Sequence, residues 1–135
     1  MEKKRNLDNT AYRLYNSIVG IKFEIILYKD GKGFSPVGEC IGSLTKKQQN
    51  KIIAYTDRLV ALGFNLKRPA ADSLGGGLGL YELRPDRHRI LYFFHQRTQI
   101  IFLHAFLKRT DEIPQRDIEI ALSRKKDYLE KEALQ

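Results

Sequence analysis

The chain has 135 residues, of which 42% are hydrophobic and 30% charged, and its formal net charge is +8. This composition predicts one globular domain over residues 1–135 and excludes both disorder over the whole length and a membrane-spanning helix, which needs roughly 18 consecutive apolar residues. The chain has one cysteine, no apolar signal-peptide segment and three histidines without metal-ligand spacing. We therefore expect a cytoplasmic protein with no disulfide framework, no metal or other cofactor and no membrane partner.

The positive charge is concentrated in the middle of the chain. Residues 65–109 contain eight lysines and arginines against three acidic residues, whereas residues 110–135 are net negative. A basic surface of this kind favours a polyanion or an acidic protein as the partner. A surplus of solvated lysine and arginine side chains explains the charge equally well.

The N-terminal half of the chain predicts helices and one strand. Apolar residues at three-residue spacing indicate that the N-terminal extension, residues 1–20, is helical. The run 21–33 is rich in β-branched and aromatic residues, which predicts a strand. A Ser-Pro pair then opens a short helix, and Ser43 or Thr45 caps a longer one that runs to Leu62. Two such helices form a hairpin that covers one face of a sheet.

The C-terminal half predicts consecutive strands followed by one helix. Residues 65–79 contain Pro69 and four glycines, which predicts a loop. Three apolar runs separated by four-residue breaks predict strands joined by hairpin turns, at 80–84, 89–95 and 100–106. From Pro114 onward the pattern is helical. This order predicts an α+β domain in which a helical hairpin and a C-terminal helix pack on an antiparallel sheet of about four strands.

Four motifs follow one another in the C-terminal half: GLYELR, RILYFF, HAFLKRT, and a proline before a helix that reads IEIALSRKKDY. In this order and spacing they resemble the RelE/ParE superfamily of bacterial type II toxins, and most of all its phage-derived, HigB-like branch, over residues 21–128. The resemblance implies a RelE-like fold and a metal-independent endoribonuclease that cleaves messenger RNA, usually on the ribosome. It also implies a cognate antitoxin, a HigA-like helix-turn-helix protein, that holds the toxin inactive.

The resemblance also assigns functional residues. Arg84 and Arg89 match an arginine that closes one strand and an arginine that opens the next, and Lys108 and Arg109 match the basic pair after the last strand. These four are the predicted catalytic residues, and their implied role is to position the phosphate and to help the ribose 2′-OH attack it. Residues of the adjoining loops are predicted to contact RNA: Lys67, Arg68, Arg87 and His88.

The residue types fit this chemistry. Cleavage by a 2′-OH group needs a base, cations for the charged transition state and an acid for the leaving oxygen. Arg84 and Arg89 flank one hairpin, so both guanidinium groups reach a single phosphate. Lys108 is the candidate base, and we expect Arg89 and Lys108 to be exposed. The candidate acids are His88, His104 and Arg109.

Three alternatives remain open from the sequence. In the first, Arg84 and Arg89 merely pair with Glu82 and Asp86. In the second, the chain is a ParE-like toxin that binds DNA gyrase without cleaving RNA. In the third, it is an inactive phage-derived relative that retains only antitoxin binding, because Glu82 stands where the RelE branch has a lysine.

Several other residues have simple structural explanations. His104 lies inside an apolar strand, which is typical of a hydrogen-bonded interior residue. The aromatic residues of the last two strands are expected in the core rather than on an RNA-stacking surface. Arg124, Lys125 and Lys126 are expected to form a solvated helix face.

Overall fold

A computed structural model describes residues 22–135, so the predicted N-terminal helix at 1–20 lies outside the described residues. The elements are β1 (Glu24–Leu27), α1 (Pro36–Gly42), α2 (Lys46–Leu62), a 3-10 turn (Gly63–Asn65), β2 (Ala71–Ser73), β3 (Tyr81–Leu83), β4 (His88–His95), β5 (Gln99–Leu107) and α3 (Gln115–Ala133). The α+β prediction is confirmed. Within this part of the chain, no helix is both long and apolar enough to cross a membrane.

The sheet has five strands in the order β1-β5-β4-β3-β2 and is mixed rather than antiparallel. Strands β2 to β5 form antiparallel neighbours, whereas β1 runs parallel to β5. No tight turn joins β1 to another described strand, so the turn signals in the sequence did not indicate whether β1 runs parallel or antiparallel to its neighbour. The expectation of about four strands missed β2, which lies within the predicted loop. Positive φ angles at Gly75, Gly76, Gly77 and Gly79 allow the chain to turn back from β2 into β3.

The helix boundaries follow the predicted capping residues. The Ser35 side chain accepts a hydrogen bond from the Gly38 amide before α1, and Thr45 forms a reciprocal capping box with Gln48 at the start of α2. Gly63 ends α2 with a φ of +49°, and a Cβ atom there would lie 2.0 Å from the Phe23 ring. Only glycine fits this position, because both the backbone conformation and the adjacent ring exclude a side chain.

The sheet separates two apolar layers. On one face, Ile90 and Tyr92 of β4 belong to the cluster that contains residues of α1 and α2. On the other face, Leu91 and Phe93 cluster with Ala121 of α3. The expectation that the strand aromatics form the core is confirmed, since they are buried or half-buried: Tyr92, Phe93, Phe94, Phe102 and Phe106.

A bulge in β5 changes which residues face α3. Leu91 pairs with His104, but the next residue of β4, Tyr92, pairs with Phe102, so Leu103 is the extra residue. Because of this extra residue, Leu103 and His104 both contact groups on the α3 side of the sheet.

Candidate functional site

The predicted site residues gather at one end of the sheet, where β3 ends, β4 begins and β5 ends. The antiparallel register places His88 opposite Leu107, and the Lys108 amide donates to the Arg87 carbonyl oxygen at 2.8 Å. The Arg84 amide donates to the Ala70 carbonyl oxygen at 2.8 Å, so the loop before β2 lies at the same end. Short hairpins therefore bring basic residues from three strand ends together.

Four of the predicted site residues line one cavity of about 230 Å³: Arg87, Arg89, Lys108 and Arg109. Thr110 and two carboxylates, Asp86 and Asp111, complete the lining. A small cavity with four cationic side chains against two carboxylates favours an anion such as a phosphate group. We call this the phosphate cavity.

Arg89 is 7% exposed, so the expectation that its side chain lies at the surface is wrong. Its guanidinium Nη1 donates to the backbone oxygens of Asp86 at 2.8 Å and His88 at 2.7 Å, and thereby holds the turn before β4. Burial lowers the pKa of Arg89, while the nearby Glu82 carboxylate opposes that shift. Arg89 turns inward because these acceptors lie beneath the turn. Lys108 is half-buried.

Glu82 lies between the two predicted arginines. Its Oε1 is 3.5 Å from Arg84 Nε, its Oε2 is 3.9 Å from Arg89 Nε, and the residue is only 7% exposed. The pairing of both arginines with Glu82, anticipated as an alternative, is therefore present, whereas Asp86 bonds Arg89 through its backbone oxygen. The sequence analysis gave Glu82 both as a departure from the RelE branch and as a possible partner of the two arginines, but it assigned no role in the site to this carboxylate. The available signal was the spacing, because Glu82 and Arg84 are two residues apart at the end of one strand.

Two predicted RNA-contacting residues, Lys67 and Arg68, lie outside the phosphate cavity. They line a separate groove beside β2 with Phe64 and Tyr81. Arg68 Nε donates to Asp72 Oδ2 at 2.6 Å, although the arginine side chain is 75% exposed. An ion pair this exposed contributes little to stability.

His88, the last of the predicted RNA-contacting residues, also lies outside the phosphate cavity. It lines a groove of about 380 Å³ on the α2 side of the β3–β4 turn, and Arg87 lines both this groove and the phosphate cavity. The turn therefore stands between two concave surfaces that share one arginine.

His104 has both ring nitrogens engaged beneath α3. Its Nε2 is 2.7 Å from Asp117 Oδ1, and Arg124 Nη1 is 3.3 Å from its Nδ1. Because a guanidinium group only donates, Nδ1 accepts and Nε2 carries the proton that is donated to Asp117. Burial lowers the pKa of His104, and the hydrogen bond to Asp117 opposes that shift. The interpretation of His104 as a hydrogen-bonded interior residue is confirmed.

The expected solvated face of α3 is wrong for two of its three residues. Arg124 Nη1 donates to the Leu103 carbonyl oxygen at 2.9 Å, and Lys125 Nζ donates to the carbonyl oxygens of Leu78 and Gly79 at 3.2 Å each. Burial lowers the pKa of both Arg124 and Lys125. These cations attach α3 to the sheet and to the glycine-rich loop, whereas Lys126 is exposed.

Residues 22–135 contain no cluster of three or more histidine, cysteine, aspartate or glutamate side chains able to hold a metal ion. The groups available in the phosphate cavity are guanidinium, ammonium, carboxylate and hydroxyl groups.

Comparison with known proteins identifies the family. The family model described as phage-derived protein Gp49-like (DUF891) matches residues 39–126, a range that includes β2 to β5 and the phosphate cavity. A comparison with curated proteins found no match. The Gp49-like family is a RelE-like toxin family, and a toxin of this kind has an antitoxin as its partner. The chain belongs to the Gp49-like family of phage-derived proteins.

Proposed function

We propose that this protein is the toxin of a type II toxin-antitoxin system, a HigB-like endoribonuclease that cleaves messenger RNA on the ribosome. The observation that carries the proposal is the convergence of Arg87, Arg89, Lys108 and Arg109 on the phosphate cavity. Family membership supports the toxin, and the cationic cavity supports a reaction at a phosphodiester group.

The proposed reaction uses the ribose 2′-OH as the nucleophile. Lys108 removes the 2′-OH proton, the 2′-oxygen attacks phosphorus, and the 5′-oxygen leaves with a proton from an acid. The products are a cyclic phosphate and a 5′-OH. Arg89 and Arg109 stabilise the negative charge that develops on the phosphoryl oxygens. His104 is not the acid, because both its ring nitrogens are bonded within the protein, and His88 lies outside the phosphate cavity, which leaves Arg109.

Glu82 is compatible with this proposal. The phosphate cavity keeps its cationic side chains despite this glutamate, because Lys108 and Arg109 line it from the end of β5. Glu82 instead compensates the buried charge of Arg89, while the backbone oxygens of Asp86 and His88 hold its guanidinium at the cavity wall. This role argues against the hypothesis that the chain is an inactive relative, because that hypothesis assumes that a glutamate in place of the lysine removes the site.

Primer extension on a reporter messenger RNA in a reconstituted translation reaction tests the proposal. We expect cuts that require translating ribosomes and the wild-type protein. Lys108→Ala should reduce cleavage by about 10²- to 10⁴-fold, as expected for loss of a general base. Lys46→Ala is the matched control, because Lys46 is an exposed lysine that lines neither the phosphate cavity nor the groove beside α2.

Two outcomes would contradict the proposal. Intact RNA and continued translation in the presence of the wild-type protein would eliminate the nuclease, and a gyrase supercoiling assay would then test the ParE-like alternative. Equal cleavage by Lys108→Ala and Lys46→Ala would eliminate Lys108 as the base. We further propose a HigA-like helix-turn-helix antitoxin as the partner, which should abolish the cleavage when added in equimolar amount.

A further inference from the structure

The groove on the α2 side of the β3–β4 turn is a second concave surface next to the phosphate cavity. Lys47 and Lys51 of α2 line one wall, and Arg87 and His88 line the other, together with the exposed Leu107. Arg87 and Asp86 also line the phosphate cavity. The two surfaces are therefore adjacent, and a chain molecule longer than one phosphate group can occupy both. We call the second surface the α2 groove.

The charges of the α2 groove favour an anion. Three cationic side chains line it, those of Lys47, Lys51 and Arg87, and Asp86 is the one carboxylate in the lining. Lys47 and Lys51 are four residues apart on one helix, so they lie on the same helix face. Both are exposed, and neither forms an ion pair with another of the described residues. Lys51 Nζ also lies 5.7 Å from the centre of the Tyr55 ring, and the exposed ammonium groups of both lysines are accessible to a ligand.

The α2 groove also contains an aromatic ring beside an exposed aliphatic side chain. His88 and Leu107 are directly opposed in the β4–β5 ladder, and Leu107 is 43% exposed. Unstacked nucleic-acid bases bind on aromatic side chains, histidine included, and an aliphatic neighbour extends the surface that a base covers. A stacking surface beside paired lysines matches the two parts of a nucleotide, its base and its phosphate.

We propose that the α2 groove binds the nucleotide next to the scissile phosphate of a single-stranded RNA. The base lies on His88 and Leu107, its phosphate contacts Lys47 and Lys51, and the RNA backbone crosses the turn at Arg87 into the phosphate cavity. The inference rests on the proposed function, because it requires that the phosphate cavity holds an RNA phosphodiester. It adds a binding site that contributes affinity without touching the reacting atoms.

Oligonucleotide length separates the α2 groove from the phosphate cavity. The experiment measures fluorescence anisotropy of labelled single-stranded RNAs of two, four, six and eight nucleotides, with each 2′-OH methylated so that no cleavage occurs. We expect Lys47→Gln/Lys51→Gln to weaken binding of the six-nucleotide RNA about tenfold and to leave the dinucleotide unchanged. The slope of log affinity against log salt should fall by about 0.7, since the two lysines contact one phosphate and each lost phosphate contact on a single strand contributes about 0.7.

Two further variants complete the design. Lys46→Gln removes one exposed lysine from the same helix without touching the α2 groove, and it should bind every length like the wild type. His88→Ala should weaken the six-nucleotide RNA by about tenfold with little change in the salt slope, because stacking on a side chain is not electrostatic. Thermal unfolding of each variant confirms that the fold is retained.

The outcomes distinguish the two proposals. If the double lysine variant binds all lengths as Lys46→Gln does, while the wild type cleaves messenger RNA, the α2 groove is not a nucleotide site but the proposed function stands. If the wild type neither binds nor cleaves RNA, both proposals fail. If the double variant loses only antitoxin binding, the α2 groove is a protein interface and the nucleotide site is overturned.

Discussion

The two faces of the sheet are built from different kinds of residue, although both use the same strand. On the α1–α2 face, Phe94 of β4 joins Phe23 and Phe64 in an aromatic cluster with ring centroids 4.1–5.9 Å apart. On the α3 face, β4 contributes Arg89 and Leu91, and polar pairs such as Arg89 with Glu82 and His104 with Asp117 occur among the apolar contacts. The core of the α1–α2 face therefore consists of apolar contacts, whereas the core of the α3 face also includes polar and charged side chains.

The largest expected effect comes from a substitution in the core of the α1–α2 face. Phe102 is 2% exposed and belongs to the cluster under α1 and α2. Phe102→Ala should lower the free energy of unfolding by about 3–5 kcal/mol, because it removes buried apolar area and leaves a cavity. Urea denaturation measures the loss. Phe34→Ala is the matched control at a 47% exposed position, and it should cost less than about 1 kcal/mol. Equal losses would mean that this face is not a tightly packed core.

The next effect tests the ionic pair on the α3 face. Arg89→Ala should lower the free energy of unfolding by about 2–3 kcal/mol, because it leaves Glu82 buried with only Arg84 nearby and removes two hydrogen bonds to the turn. Arg89→Ala/Glu82→Gln should recover part of this loss, since the uncompensated charge is gone. A loss of RNA cleavage in Arg89→Ala therefore combines two effects, the destabilised turn and the charge that is missing from the phosphate cavity. Strict additivity of the two substitutions in chemical denaturation would show that the pair is uncoupled.

The smallest effect is pH-dependent and concerns the contact between the sheet and α3. The pKa of His104 in the folded protein is lowered by burial from the ordinary value of about 6.5. At pH values above about 6.5, His104 is neutral in both the folded and the unfolded protein, so its contribution to the free energy of unfolding is fully present. As the pH falls below about 6.5, the unfolded chain binds a proton that the folded protein does not, and the free energy of unfolding decreases.

His104→Gln keeps an amide donor for Asp117 but removes the titration. Its free energy of unfolding should therefore fall less steeply than that of the wild type between pH 7.5 and pH 5.0. Because His88, His95 and the carboxylates are common to both proteins, the difference between the two curves isolates His104. Superimposable slopes would refute the lowered pKa of this ring.

The comparison between the faces also shows why some site residues were predictable and others were not. Arg87, Arg89, Lys108 and Arg109 flank short turns or strand ends, and antiparallel hairpins place such positions side by side. The resemblance and the strand pattern together predicted that Arg89, Lys108 and Arg109 meet, whereas Arg84, expected to share one phosphate with Arg89, does not line the phosphate cavity. The inward orientation of Arg89 could not be predicted, because it depends on Glu82 and on backbone oxygens that only the folded turn presents.

The sequence by itself determined the local features of this protein. Ser35, Thr45 and Gly63 set the helix ends through contacts within a few residues, and the alternation of apolar runs and short breaks determined β3, β4 and β5. These signals act over short distances along the chain, so they operate before distant segments meet.

The tertiary structure alone decided the parallel pairing of β1 with β5, the addition of β2, the bulge at Leu103 and the attachment of Arg124 and Lys125. The parallel strand pair and the attachment of Lys125 join residues far apart in the sequence; Lys125 and Leu78, for example, are 47 positions apart. A buried cation is stable only where oxygen acceptors from another segment replace its water. Whether such acceptors are present depends on the assembled fold, which is why the sequence pattern of α3 indicated a solvated face.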